Sequence, residues 1–261
     1  GSARAWRHSD DGRAGAVHRT GHSVADFPDE HLGALMALLT FENVCKRYPS
    51  GQDALLDVNF QMDAGEMVFL TGHSGAGKST VLRLVHLAER ASRGSVVLEG
   101  RNLAQVRAHG VPAVRRRLGM VFQDHRLLLD RSVFENLALP LIMAGATRAE
   151  IGRRVRAALD RVGLLAREGA LPTALSAGEQ QRVGIARAIV VQPVLLLADE
   201  PTGNLDPQLA ADIMGLFASV SAQGTTVLVA SHDLHLVRKM SKRVLVLDHG
   251  RLIDDFRPGV A

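Results

Sequence analysis

Residues 72–80, Gly72-His73-Ser74-Gly75-Ala76-Gly77-Lys78-Ser79-Thr80, bring together the groups needed to hold a chain of phosphates. They follow the pattern G-x-x-x-x-G-K-[ST]. The glycines let the backbone wrap closely around an anion, with successive N–H groups turned inward. Lys78 can reach the β- and γ-phosphates of a nucleotide, and the Ser79 hydroxyl can ligate Mg²⁺. A helix starting at the loop adds its partial positive charge. Far downstream, the apolar run Val194–Ala198 ends in Asp199 and Glu200. Asp199 is placed to hold the same Mg²⁺, directly or through water. Glu200, one residue further out, is placed to polarise an attacking water as a general base. Binding and hydrolysis of a nucleoside triphosphate is the chemistry these residues allow.

The flanking sequence supplies the elements that would position them. Met67–Thr71 reads as a buried strand before the loop, and Val81, Leu82, Leu84 and Val85 fall on one side of a helix after it. Further strands are expected at Thr40–Val44, Ala54–Met62, Ser95–Leu98 with a turn at Glu99-Gly100, Leu118–Val121, Thr226–Ala230 and Val244–Leu247. Helical patterns cover Val133–Met143, Arg148–Val162, Ala177–Val190 and Pro207–Val220. Strands alternating with helices predict an α/β fold with a mainly parallel sheet. The helical block at about 127–190 interrupts that alternation and reads as a subdomain inserted into the sheet domain. Leu175-Ser176-Ala177-Gly178-Glu179 opens a helix, with Ser176 as N-cap and Glu179 completing a capping box. The same free N–H groups could bind a phosphate, and the sequence pattern alone does not choose between the two.

Bulk properties exclude several classes. The single Cys45 rules out a disulfide framework within the chain and fits a reducing compartment; in a strand it reads as a small core residue. No run approaches the ~20 apolar residues of a membrane span, and no secretory signal pattern is present. The expected location is therefore the cytoplasm, at a membrane only if a partner holds the chain there. The net charge is +4. Arginines cluster at 115–117 and at 153, 154 and 156 without interleaved aromatics, so no nucleic-acid partner is expected. Residues 1–35 are polar and aperiodic and read as a disordered extension or expression scar, with Met36 resembling a natural start.

In this order, the motifs resemble the nucleotide-binding domains of ABC ATPases over about residues 38–256. The resemblance implies a phosphate-loop NTPase core at 36–261, an antiparallel β subdomain and an inserted helical subdomain, with ATP and Mg²⁺ bound. It assigns Tyr48 to adenine stacking and Ser176, Ala177, Gly178 and Glu179 to the signature motif. Gln123 is placed in the Q-loop near the metal and the reacting water. Asp206 closes the D-loop Gly203-Asn204-Leu205-Asp206, and His232 is the switch histidine. One departure is Ala177, where the family usually has glycine; helical dihedrals there would accommodate the methyl group. The resemblance also implies a homodimer in the ATP-bound state, the phosphate loop of one protomer facing the signature helix of the other.

Within the family, Arg47-Tyr48-Pro49, the Gly72–Gly77 stretch and Val121-Phe122-Gln123-Asp124-His125-Arg126-Leu127-Leu128 favour a cell-division branch. That branch implies an integral membrane subunit as partner, attachment to the cytoplasmic face of the inner membrane, and regulation of cell-wall hydrolysis. The alternative is a lipoprotein-release or export ATPase. A DNA-repair ATPase is disfavoured because no sustained heptad run separates the two halves of the site. A translation factor is disfavoured because there is one cassette rather than two. Intact Lys78, Asp199, Glu200 and His232 argue against a nucleotide-gated scaffold with a dead site.

Overall fold

A computed structural model describes residues 37–203 and 205–259. The expectation for residues 1–35 lies outside the described residues. Two sheets organise the rest. In the first, β1 (Leu39–Arg47) and β2 (Asp53–Met62) pair antiparallel, and β1 also pairs antiparallel with β4 (Arg93–Leu98). Before β4 in the chain come β3 (Met67–Thr71) and α1 (Lys78–Val85); after it come β5 (Arg101–Asn102), α2 (Val111–Arg115) and β6 (Leu118–Val121). Then follow the helices α3 (Val133–Met143), α4 (Arg148–Arg161) and α5 (Ala177–Ile189), and β7 (Leu195–Asp199). The chain continues with α6 (Pro207–Ala222), β8 (Thr226–Ala230), α7 (Leu234–Met240), β9 (Arg243–Asp248) and β10 (Arg251–Phe256).

The second sheet runs β10-β9-β3-β8-β7-β6. All its neighbours are parallel except β10 on β9. β3 and β8 are buried at every position, as expected of parallel strands covered on both faces. The alternation of a strand assigns each residue to one of two cores. Phe69, Ala198, Val227 and Val229 join α3–α7 on one face. Val68, Leu70, Leu197, Leu228 and Ala230 join α1 and the antiparallel sheet on the other. In the second core Phe41 and Phe60 stack with centroids 4.5 Å apart. Each fully buried Leu or Phe on these faces contributes about 1.5–3 kcal/mol relative to exposure.

The fold is the expected one: a mainly parallel sheet, an antiparallel β subdomain, and helices α3–α5 inserted between the adjacent strands β6 and β7. Ser132, Thr147 and Ser176 each start one of those helices with a capping box to Glu135, Glu150 and Glu179. Three elements escaped the sequence pattern; one is α2, whose five residues are too few for a periodic signal. β10 is almost wholly exposed, so it shows no apolar alternation; Arg243 holds it through paired contacts to Asp255, 2.7 Å each. α7 has seven residues, too few for a periodic signal. Cys45 corrects its core assignment. It is half-buried at an irregular stretch of β1, where its Sγ accepts the Asp57 N–H at 3.3 Å. Among the described residues no helix is long and apolar enough to cross a membrane.

Candidate functional site

β3 runs directly into the phosphate-loop sequence, and α1 leaves it at Lys78. Two glycines are forced by geometry. Gly72 has φ 145°, and a Cβ there would stand 2.2 Å from the Leu247 carbonyl oxygen. Gly77, the N-cap of α1, has φ 112°, and its Cβ would meet the Ala54 carbonyl oxygen at 2.8 Å. Ala76 is fully buried beneath the loop. The Lys78 ammonium folds back and donates to the Gly72 and His73 carbonyls at 2.8 and 3.2 Å. It therefore stands over the ring of backbone that would surround a phosphate.

The carboxylates arrive on β7, separated from β3 by β8 alone. Since these strands are parallel, their C-terminal ends open on one side, the usual place for a ligand in such sheets. Ser79 Oγ donates to Asp199 Oδ1 at 3.1 Å. That spacing is close to the edge of about 2.9 Å in an octahedron with Mg–O bonds of about 2.0–2.1 Å, so this oxygen pair fits a small hard cation. Burial pushes the Asp199 carboxyl up, and the nearby Glu200 adds to the rise, while the Ser79 hydrogen bond and Arg83 and Lys78 oppose it. Glu200 sits in a left-handed conformation, φ 49°, just past the strand. Its Oε1 lies 3.6 Å from Lys78 Nζ and its Oε2 2.7 Å from His232 Nδ1.

A cleft of about 670 Å³ is lined by eleven of the expected residues: Tyr48, His73, Ser74, Gly75, Gly77, Lys78, Ser79, Thr80, Gln123, Glu200 and His232. Gly72, Ala76 and Asp199 are not in its lining; Asp199 is joined to it through the hydrogen bond from Ser79. Tyr48 is half-buried, with its hydroxyl 3.3 Å from Thr80 Oγ1. Gln52, Ala54 and Arg83, not expected from the sequence, also line the cleft. Arg83 carried a signal, since it follows Ser79 by four residues on the same helix face. Gln52 and Ala54 carried none; the turn after Pro49 brings them in.

The remaining expected residues stand apart from this cleft. Ser176 and Ala177 are exposed at the start of α5. Ala177 occupies the first helical position, so its methyl group is accommodated as a helical residue. The capping box is closed here: Ser176 N–H donates to Glu179 Oε2 at 2.9 Å and Glu179 N–H to Ser176 Oγ at 3.2 Å. The hydrogen bond from the Ser176 backbone holds the Glu179 carboxyl below the usual range. At Gly178 a Cβ would stand 2.4 Å from a Leu209 methyl, so any larger residue would displace that side chain. Asp206 caps α6 through the Gln208 and Leu209 N–H groups.

Gln181 ties the two regions together and was not foreseen. It is fully buried. Its Nε2 donates to the Pro201 carbonyl at 2.7 Å, and its Oε1 meets His125 Nδ1. Arg187 on the same helix donates to the His125 and Arg126 carbonyls at 2.7 and 2.6 Å. Both loop residues hold positive φ, 56° and 49°. The segment after Gln123, the start of α5 and the loop beyond Glu200 are thus one hydrogen-bonded unit.

Comparison with known proteins places these features in context. The ABC transporter family profile matches residues 55–203. The cell division ATP-binding protein FtsE of Escherichia coli strain K12 is 53% identical over 215 residues, covering 82% of this chain and 97% of that protein. FtsE of Mycobacterium tuberculosis is 46% identical over 224 residues, covering 85% and 97%. Among solved structures, cbiO1 from Clostridium perfringens, part of the ABC transporter complex cbiONQ, superposes with TM-score 0.80 at 30% identity, covering 85% of this chain and 89% of that one. The ATP-binding cassette MJ0796, in a dimeric post-hydrolysis state bound to ADP and Pi, gives TM-score 0.76 at 32% identity, covering 84% and 98%.

Proposed function

The chain belongs to the ABC transporter family of ATPases, and from that premise we propose that it is the ATP-hydrolysing subunit of an FtsE–FtsX-like membrane complex in bacterial cell division. The observation that carries this is the 53% identity to FtsE across 97% of that protein's length. The chain is an ATP hydrolase with a nucleotide-binding cassette.

Each residue's part follows from its place. Backbone N–H groups of 73–78 cradle the phosphates, and Lys78 turns from its carbonyl partners to the β- and γ-phosphates. Tyr48 lines the same cleft, and an adenine ring would stack on it. Ser79, Asp199 and Gln123 are the residues to hold Mg²⁺, which when bound neutralises charge building on the phosphate oxygens. Glu200 accepts a proton from the attacking water, and His232, hydrogen-bonded to it, fixes the carboxylate's direction.

Ser176–Glu179 and Asp206 have no role within one protomer's cleft. The exposure of Ser176, Ala177 and Asp206 supports a head-to-tail homodimer in which these segments complete the partner copy's site across a two-fold axis. The dimeric state of the MJ0796 cassette supports the same reading. The γ-phosphate then contacts both halves, and its loss lets them part. The membrane subunit resembles FtsX and holds this chain at the cytoplasmic face, and turnover is slow without it.

The test is co-expression with the host's FtsX-like subunit and, separately, with its lipoprotein-release membrane subunit. Stable capture of the first alone, with a rise in ATP turnover, is the expected result. Capture of the second alone assigns the chain to a release system of the LolD or MacB kind and overturns the proposal.

A further inference from the structure

The His73 side chain, at the edge of the nucleotide cleft, also belongs to a second cluster of donor groups. His73 Nδ1 lies 2.6 Å from the Ser74 carbonyl oxygen. A carbonyl oxygen can only accept, so Nδ1 carries the proton. The other nitrogen, Nε2, then points outward, 3.1 Å from Asp248 Oδ1. His249 adds its own Nε2, 3.9 Å from the same oxygen. The two imidazole rings stand 4.8 Å apart, tilted by 55°. All three ligand atoms fall within 4.8 Å of one another, and no other group of three His, Cys, Asp or Glu side chains converges this closely among the described residues.

We propose that His73, Asp248 and His249 bind a divalent transition ion of the zinc class, separate from the Mg²⁺ of the nucleotide site. Zn–N and Zn–O bonds of about 2.0–2.2 Å put tetrahedral ligands roughly 3.3–3.5 Å apart. The His73–Asp248 pair is already near that spacing. His249 is exposed and reaches it by a side-chain rotation. Donation of the non-ligating N–H to a backbone carbonyl is the arrangement that fixes a metal-binding histidine in its tautomer, and His73 has it without the ion. Two imidazoles and one carboxylate favour Zn²⁺, Co²⁺ or Ni²⁺ over Mg²⁺, which prefers oxygen ligands in an octahedron.

The ion would tie the nucleotide loop to the β9–β10 turn. That turn already touches the loop, since Gly250 N–H donates to the Ala76 carbonyl at 3.0 Å and Gly250 O accepts the Leu56 N–H at 2.8 Å. His249 and Gly250 have φ 45° and 77°, the two-residue turn in which asparagine is favoured at the first position. His249→Asn therefore keeps the turn and removes a ligand.

The experiment is calorimetric titration of the nucleotide-free protein with Zn²⁺ in excess Mg²⁺, with thermal melting beside it. The wild type should bind one Zn²⁺ more tightly than any other and melt at a higher temperature with it. His249→Asn and Asp248→Asn should each weaken that event at least about tenfold and abolish the melting shift. In chelator-treated buffer, His249→Asn should bind ATP within about twofold of wild type. Zinc affinity and melting shift unchanged in both variants would overturn the proposal, leaving His73 and Asp248 as an ion pair only. So would a wild type that binds no zinc in the presence of Mg²⁺.

Discussion

Glu200→Gln separates two things this carboxylate does. It is the proposed base, and it also occupies Lys78. The Lys78–Glu200 contact is 3.6 Å, and the two side chains are only 8% and 17% exposed. A sheltered pair at that distance is worth about 1 kcal/mol, the upper end of the range for more exposed pairs. In the free protein that attraction competes with the phosphates for the ammonium. The amide abolishes the competition, so ATP should bind about fivefold more tightly. The side-chain oxygen still accepts from His232, and Ser79 and Asp199 are untouched. Hydrolysis should nevertheless fall by about 10²–10⁴, the usual worth of a positioned base. Calorimetry with ATP under non-hydrolysing conditions gives the first quantity, and single-turnover phosphate release gives the second. Weaker ATP binding in the variant would refute the competition between Glu200 and the phosphates. Hydrolysis within tenfold of wild type would remove Glu200 from the base role.

Lys78→Ala should weaken ATP binding itself, because its ammonium stands over the loop's carbonyl ring, and equal calorimetric affinities would contradict that geometry. Gly77→Ala should cost more than about 2 kcal/mol in denaturant unfolding, combining a left-handed penalty with a backbone contact at 2.8 Å; an unchanged midpoint would show the loop can shift. Burial, aided by Arg115, pushes the His86 imidazole down to about 4. The unfolded chain takes up that proton near about 6.5, so the stability His86 contributes is complete above that pH. It is lost as pH falls towards about 4, with a limit of roughly 3 kcal/mol. His86→Gln should flatten this part of the stability–pH curve. Leu128 is 43% exposed in a groove with Phe134, Leu139 and Ile142, whereas Leu127 packs on the core. Leu128→Glu should block capture of the membrane subunit with ATP affinity intact, while Leu127→Glu should lower stability; normal capture by Leu128→Glu would move the docking surface elsewhere.

The strands that carry the site were the easiest to read. Met67–Thr71 and Thr226–Ala230 are buried on both faces, so their apolar runs had no rival explanation. Loop chemistry was equally visible, because Gly72, Gly77 and Lys78 must be those residue types wherever a backbone closes on phosphate. What stayed hidden depends on tertiary approach. Gln181 looks like any polar helix residue until the fold buries it between Pro201 and His125. The apolar sequence around Gln123 does not show which leucines face outward; Leu141 is fully buried, whereas Leu128 is exposed. Hydrophobicity alone does not distinguish Leu128 from Leu141; the first lies in the loop before α3, and the second on the face of α3 packed into the core.

The pairing of β6 with β7 has a consequence for how the molecule is made. Leu118 meets Leu195, 77 residues along the chain (195 − 118), with α3, α4 and α5 in between. Closing a loop of that size carries an entropy cost before any ladder bond repays it. The helices can form locally and early, since each brings its own capping box. Strand β6 has no neighbour but β7 among the described strands, so it has nothing to dock on until those helices have packed. The sheet should therefore zip from β3 outward and finish at β6, with helical signal appearing ahead of sheet signal in a refolding trace. Gln123 sits just beyond that last strand, so this proposed metal ligand would reach its place only at the final step of folding.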